Sequence, residues 1–223
     1  MRISLIVLCA LVAAVNLPAE NLETILARMD QAALTFKAIS ADMQMTTFTK
    51  IINDVTVQTG TLKMQRQKGK GTRAILDFSG EHDASVVFFS SHIVRIYYPK
   101  LNAYQDYDLG KNSEVLDQFL LLGFGSSGKE LTESYDLTAA GTEKIAGQET
   151  TKLMLVPKAS NVQEKLSKAQ VWIPSGKAYP VQQQFFEPTG NYRTVLYNNI
   201  KLNPPIKGNL EFKLPAGAKR QGS

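Results

Sequence analysis

From residue 42 onward the chain is a succession of short β-rich runs separated by turn residues, with few connections long enough to cross a sheet. The runs fall at residues 42–50, 55–66, 72–79, 84–89, 92–98, 103–108, 131–142, 149–157, 169–173, 179–187 and 192–201, with a last piece at 209–214. Parallel neighbours need a crossover of a dozen or more residues. Turns such as Asn53-Asp54, 174–177 (PSGK) and 188–191 (PTGN) therefore make successive runs antiparallel. About eleven strands are expected, in a chain of 223 residues that has room for one sizeable domain.

Several runs are apolar on both faces, for example Val86-Val87-Phe88-Phe89 and residues 153–156 (LMLV). An antiparallel sheet with one wet face alternates more cleanly. A curved sheet with helices on one side and an apolar hollow on the other explains this pattern, and a plain β-sandwich would give it too. Two stretches have the helical period. Residues 21–39 place Leu22, Ile25, Leu26, Met29, Ala33 and Phe36 on one stripe, which reads as packing against the sheet. Residues 112–125 (NSEVLDQFLLLGFG) start at a candidate N-cap, Asn112, and stop at Gly123 and Gly125. Val115, Leu116, Phe119, Leu120 and Leu122 span a wide apolar arc, and Leu121 lies beyond it beside Asp117 and Gln118. Two readings follow, a well-buried core helix or a mobile apolar lid over a cavity.

Arg2 and the apolar run 3–15 have the build of a secretory signal, with cleavage expected near Ala19, so export and a mature domain over 20–223 are expected. The run is too short for an ordinary membrane-spanning helix. Cys9, the single cysteine, lies inside it after Leu8, where a lipid-modified leader would want a small residue. The mature chain then has no disulfide and no thiolate chemistry. The net charge of +5 is mild. Its densest run, Lys63, Arg66, Lys68, Lys70 and Arg73, has no interleaved aromatics, which suits a solvated hairpin and argues against nucleic acid.

Residues 123–128 (GFGSSG) match a dinucleotide fingerprint, and Lys129 brings them near a phosphate loop. The expected order of helix, loop, strand is wrong for either, and Glu130 stands where a magnesium-binding hydroxyl belongs. His82 and His92 have no spacing that forces a metal site, no nucleophile elbow or H-E-x-x-H occurs, and nothing marks a raised pKa at Asp106 or Asp108. The reading is a non-enzymatic protein with no cofactor and no metal. In the run 55–66, Leu62, Met64 and Arg66 share a face by the period of two. Arg66 is then either a solvated strand end or a donor at the rim of the hollow, able to bond carbonyls of a facing helix.

Taken in order, Phe36-Lys37-Ala38-Ile39-Ser40-Ala41, Gly60 to Arg66 (GTLKMQR), Val94-Arg95-Ile96-Tyr97-Tyr98-Pro99, the apolar stretch 115–122, Val171-Trp172-Ile173, Leu196-Tyr197-Asn198-Asn199-Ile200 and Phe212-Lys213-Leu214-Pro215 resemble the LolA-type periplasmic lipoprotein carriers over nearly the whole mature chain. The resemblance implies an α+β fold, an unclosed, strongly curved antiparallel barrel whose helices form a lid over an apolar cavity for acyl chains. It implies a monomeric carrier that takes acylated lipoproteins or lipids from an inner-membrane release complex to an outer-membrane acceptor. A lipid-binding or lipoprotein-sensing regulator of the same fold is the alternative. Leu62, Met64, Phe88, Leu116, Phe119, Leu120, Leu122 and Trp172 would form cavity and lid, and Arg66 would hold the lid shut. Two departures stand out: Gln67 follows the arginine where the family tends to have proline, and Ser91-His92 replaces Asp-Gly before the aromatic strand.

Overall fold

The computed structural model describes residues 20–67, 71–80, 84–90, 92–110 and 122–221. The expected signal segment, His82 and the stretch 111–121, with Leu116, Phe119 and Leu120, lie outside them. One sheet of 12 strands dominates. It comprises β1 (Ala38–Thr49), β2 (Asp54–Arg66), β3 (Thr72–Ser79), β4 (Ser85–Phe89), β5 (Ile93–Tyr98), β6 (Ala103–Asp108), β7 (Tyr135–Ile145), β8 (Gln148–Pro157), β9 (Lys168–Pro174), β10 (Gln182–Phe186), β11 (Tyr192–Leu202) and β12 (Lys219–Arg220). Their order is β12-β6-β5-β4-β3-β2-β1-β11-β10-β9-β8-β7, antiparallel throughout except for β12 beside β6. The end strands β7 and β12 do not pair, so the barrel is unclosed. Among the described residues three α-helices accompany it: α1 (Leu22–Thr35), α2 (Gly128–Ser134) and α3 (Ser160–Gln163).

This order makes two meanders, β1–β6 and β7–β11, joined at the centre by the long β1–β11 ladder from Ile39↔Leu202 to Phe48↔Tyr192. A register shift between Ser40 and Asp42 interrupts the β1–β11 ladder, and such bulges bend a sheet. Gly60 lets two strands close up, since a Cβ there would run into the backbone carbonyl of Asp77. The β7 edge is broken by a register shift between Ala139 and Thr142, which blunts it as a template for further strands.

Helices and hollow share one face of the sheet, not opposite faces as the sequence suggested. Met45 pairs with Val195, Val195 with Gln183 and Gln183 with Val171, so these side chains point the same way. At the β7–β9 end this inner face is filled: Ile25 and Met29 of α1 and Leu131 of α2 pack with Leu153, Leu155, Val171 and Ile173. At the β1–β3 end a second cluster of Ile39, Met43, Leu62, Met64, Ala74 and Phe78 lines the inner face under Phe124.

Three element assignments differ from expectation. Helix α1 stops at Thr35, and Ala38 and Ile39 already pair with Gln65 and Met64; the apolar stripe through Phe36 hid this boundary. Residues 131–134 are helical because Ser127 and Glu130 form a reciprocal capping box in front of them. Residues 209–214 form no strand. They cross the outer face as a strap held by side chains: Gln65 Nε2 donates to Gly208 O (2.9 Å), Leu210 N to Gln65 Oε1 (2.6 Å) and Arg73 Nη1 to Leu210 O (3.2 Å). Phe212 lies 5.7 Å from the Tyr97 ring. Phe212 of the strap gives the outer-face Tyr97 an apolar cover, which suits the apolar outer side of β5. The strap also employs Arg73, which is not the solvated hairpin residue the charge pattern suggested.

Candidate functional site

The filled and unfilled ends of the inner face differ by a cavity of about 660 Å³, within the range of about 300–1,000 Å³ typical of small-ligand pockets. Its floor is Met43 and Met45 of β1, Leu62 and Met64 of β2 and Leu76 of β3. Val195 and Tyr197 of β11 and Phe185 of β10 continue it, and Phe124 and Leu166 close it from above. Thioethers and branched aliphatic groups dominate, a lining that adapts to a flexible apolar guest. Polar groups gather at one rim: Glu164, Lys165, Glu187, Thr189 and Arg193. Arg193 and Glu187 pair there at 2.7 Å.

The turn at residues 122–125 forms part of the roof and is tied down at three points. Arg66, last residue of β2, donates from Nη1 to Ala33 O (3.1 Å) and from Nη2 to Gly125 O (2.5 Å), and its guanidinium stands 5.4 Å over the Phe36 ring. Helix α1 has no basic residue of its own in its last turn, so Arg66 places a cation where the helix dipole is negative. Asn203 bonds Thr35 O at the same helix end (3.0 Å). Gln183, only 3 % exposed, donates from Nε2 to Leu122 O and accepts from Tyr197 Oη at 2.6 Å. Phe124 meets the Tyr197 ring edge-on at 5.0 Å. Burial raises the Tyr197 phenol above its ordinary value of 10, so it remains a neutral donor.

Of the residues expected from sequence, Leu62 and Met64 are in the cavity wall and Arg66 is at its roof, in the donor role rather than the solvated one. Leu122 is fully buried in the α1–β9 core. Two others are elsewhere. Phe88 pairs with Ile75 and Arg95 while its neighbour Val87 pairs with the inner-face Leu76, so Phe88 belongs to the outer face. Trp172 pairs with Lys152 and Gln182 and is also on the outer face, where its Nε1 donates to Glu143 Oε2 (2.8 Å). In both strands the apolar run hid the parity, and a shift of one residue exchanges faces. Gln183 and Tyr197 went unrecognised. The period of two from Phe185 puts Gln183 inward, but three consecutive glutamines show no alternation by type.

Elsewhere the charged clusters are structural. Arg95 holds Asp106 with bonds of 2.7 and 2.8 Å and keeps its carboxyl below the ordinary 3.8. Glu143, bonded by Lys152 and Trp172, is likewise lowered. Among the described residues no group of three His, Cys, Asp or Glu side chains could hold a metal ion, and His92 is an exposed residue at the start of β5. Among the described residues the fingerprint at 123–128 has no strand directly before it and no βαβ unit around it; a helix does follow, contrary to expectation, with Ser127 as its N-cap and Glu130 completing the capping box.

No family model and no curated protein matches the sequence. Solved structures do match in fold. An uncharacterized conserved protein from Thermus thermophilus aligns over 89% of this chain and 97% of its own, at 12% identity and a TM-score of 0.51. LprF from Mycobacterium bovis aligns over 90% and 99%, at 13% identity and a TM-score of 0.49. The LolA superfamily protein NE2245 from Nitrosomonas europaea aligns over 84% and 96%, at 11% identity and a TM-score of 0.39. Only the first score reaches one half, and identities this low speak for fold alone. The unclosed antiparallel sheet with an apolar hollow on its inner face is the architecture expected from the sequence, and the Thermus protein shares this fold.

Proposed function

We propose that the protein is a periplasmic carrier that shelters an acyl chain of a lipoprotein or lipid in the inner-face cavity and conveys it from an inner-membrane donor to an outer-membrane acceptor. The observation that supports this reading is the cavity: a methionine- and leucine-lined hollow left open beside a fully packed core. Each methylene moved from water into such a site gains roughly 0.8 kcal/mol, so transfer needs no cofactor and no catalytic group. Arg66 and Gln183 bias the roof turn toward the arrangement seen here, and an entering chain has to offset those contacts.

The test is release of labelled lipoproteins from spheroplasts by the purified mature protein, with native mass spectrometry of whatever it retains. A soluble complex with lipoprotein is expected. Met45→Glu, at a half-buried wall position, should abolish the complex while the protein stays folded. Bound phospholipid without release would make the protein a lipid carrier or sensor. Neither signal, or equal release by Met45→Glu, would refute the proposal.

A further inference from the structure

The end of the sheet that bears the cavity rim also bears its most exposed apolar residues. The β1–β2 turn is a single 3₁₀ turn, Lys50–Ile52, closed by Asn53 in the left-handed region. Ile51 is 92% exposed and Ile52 68%. The β5–β6 turn repeats this build with Pro99–Leu101 and a left-handed Asn102, and Leu101 is 65% exposed. Both turns follow an odd-numbered strand of one antiparallel meander, so they emerge at the same end. Each carries a lysine, Lys50 or Lys100, beside its apolar tip.

The cavity rim is at this end too. Lys50 N donates to Asn191 Oδ1 at 2.9 Å, which fastens the β1–β2 tip to the turn holding Glu187 and Thr189. Just below the tip, a cross-strand row runs along the outer face through Lys168, Phe186, Tyr192, Phe48 and Val55. Phe48 stacks on Tyr192 at 5.0 Å, and Lys168 Nζ lies 4.6 Å over Phe186. Apolar tips, an aromatic band behind them and lysines at the boundary are what a bilayer interface selects. A protein partner would be met by a groove or a flat patch with a central anchor; these are narrow projecting tips that can sink past head groups.

We infer that this end docks on a lipid surface through Ile51, Ile52 and Leu101, with Lys50 and Lys100 at the head groups, and so sets the cavity mouth against the bilayer. The docking surface stands on the tips themselves. Its role in acyl transfer rests on the carrier reading above.

Flotation of the whole protein with vesicles of phosphatidylethanolamine and phosphatidylglycerol tests the surface. Wild type should float. Ile51→Ser/Ile52→Ser/Leu101→Ser should lose binding by about tenfold or more. Leu34→Ser removes an equally bare leucine, 80% exposed, near the C-terminus of α1 at the opposite end, and should float as wild type does. A fluorescent fatty-acid analogue titrated without vesicles reads the cavity separately and should bind all three alike. Wild type that stays unbound, a triple variant that floats normally, or a Leu34→Ser variant that fails equally would each overturn the inference. Loss of analogue binding by wild type would count against the carrier reading and leave the flotation result to stand alone.

Discussion

Arg66 joins three parts of the chain that are far apart in sequence: the end of β2, the last turn of α1 and the glycine turn at 125. A planar fork is needed to reach two carbonyls at once. Arg66→Leu should cost about 2 kcal/mol, read as a lowered urea midpoint, and Arg66→Lys, which keeps the charge but not the fork, should recover only part of it. On the carrier reading the leucine variant also alters cargo release; unchanged transfer kinetics would remove Arg66 from the mechanism. The tyrosines supply a pH signature. Burial pushes Tyr135 up to about 12 and Tyr197 higher still. A folded-state pKa above the ordinary value of 10 stabilises fully below pH 10 and ceases to as pH rises through the folded value. Phenolate absorbance should therefore show two of the eight tyrosines held back until alkaline unfolding begins.

At the scale of elements, α2 is too short to persist on its own propensity and depends on its first turn. Ser127 accepts from Glu130 N (3.1 Å) while Glu130 Oε2 accepts from Ser127 N (2.8 Å). Ser127→Ala should lose about 1 kcal/mol in denaturant unfolding. Gly125 is the stricter position. Its φ of +81° and the Phe36 ring standing where a Cβ would go leave no room for a side chain, so Gly125→Ala should loosen the roof turn and speed amide exchange around Phe124. The strap makes a similar element without secondary structure of its own. Phe212→Ala uncovers Tyr97 and should destabilise by about 1–2 kcal/mol, with the melting temperature as readout.

For the molecule as a whole, ion pairs on the sheet's outer surface and at the start of α1 contribute to stability in acid. Glu20, Asp106 and Glu143 are held below their ordinary values by hydrogen bonds from Arg28, Arg95 and Lys152 respectively. Depressed carboxylates stabilise above the ordinary values of 4.5 and 3.8 and lose that contribution as pH falls through the lowered folded-state values. The melting temperature should hold steady down to about pH 5 and fall below it, and Lys152→Met should reduce the slope of that fall.

Much of this was legible locally. Turn residues and the period of two gave nearly every strand and the antiparallel connections, because both depend on backbone conformation within a few residues. Leu62, Met64 and Arg66 were placed on one face by the same period. Faces were lost where the sequence is apolar on both sides: Phe88 and Trp172 looked inward until their partners across the sheet showed otherwise. The pairing of β1 with β11, the passage of residues 122–134 over the inner face and the meeting of Gln183 with Leu122 join positions from 60 to more than 150 residues apart. No local period encodes such contacts. They are decided by which apolar faces can be buried together at once, and the cavity is the place where that burial stops short.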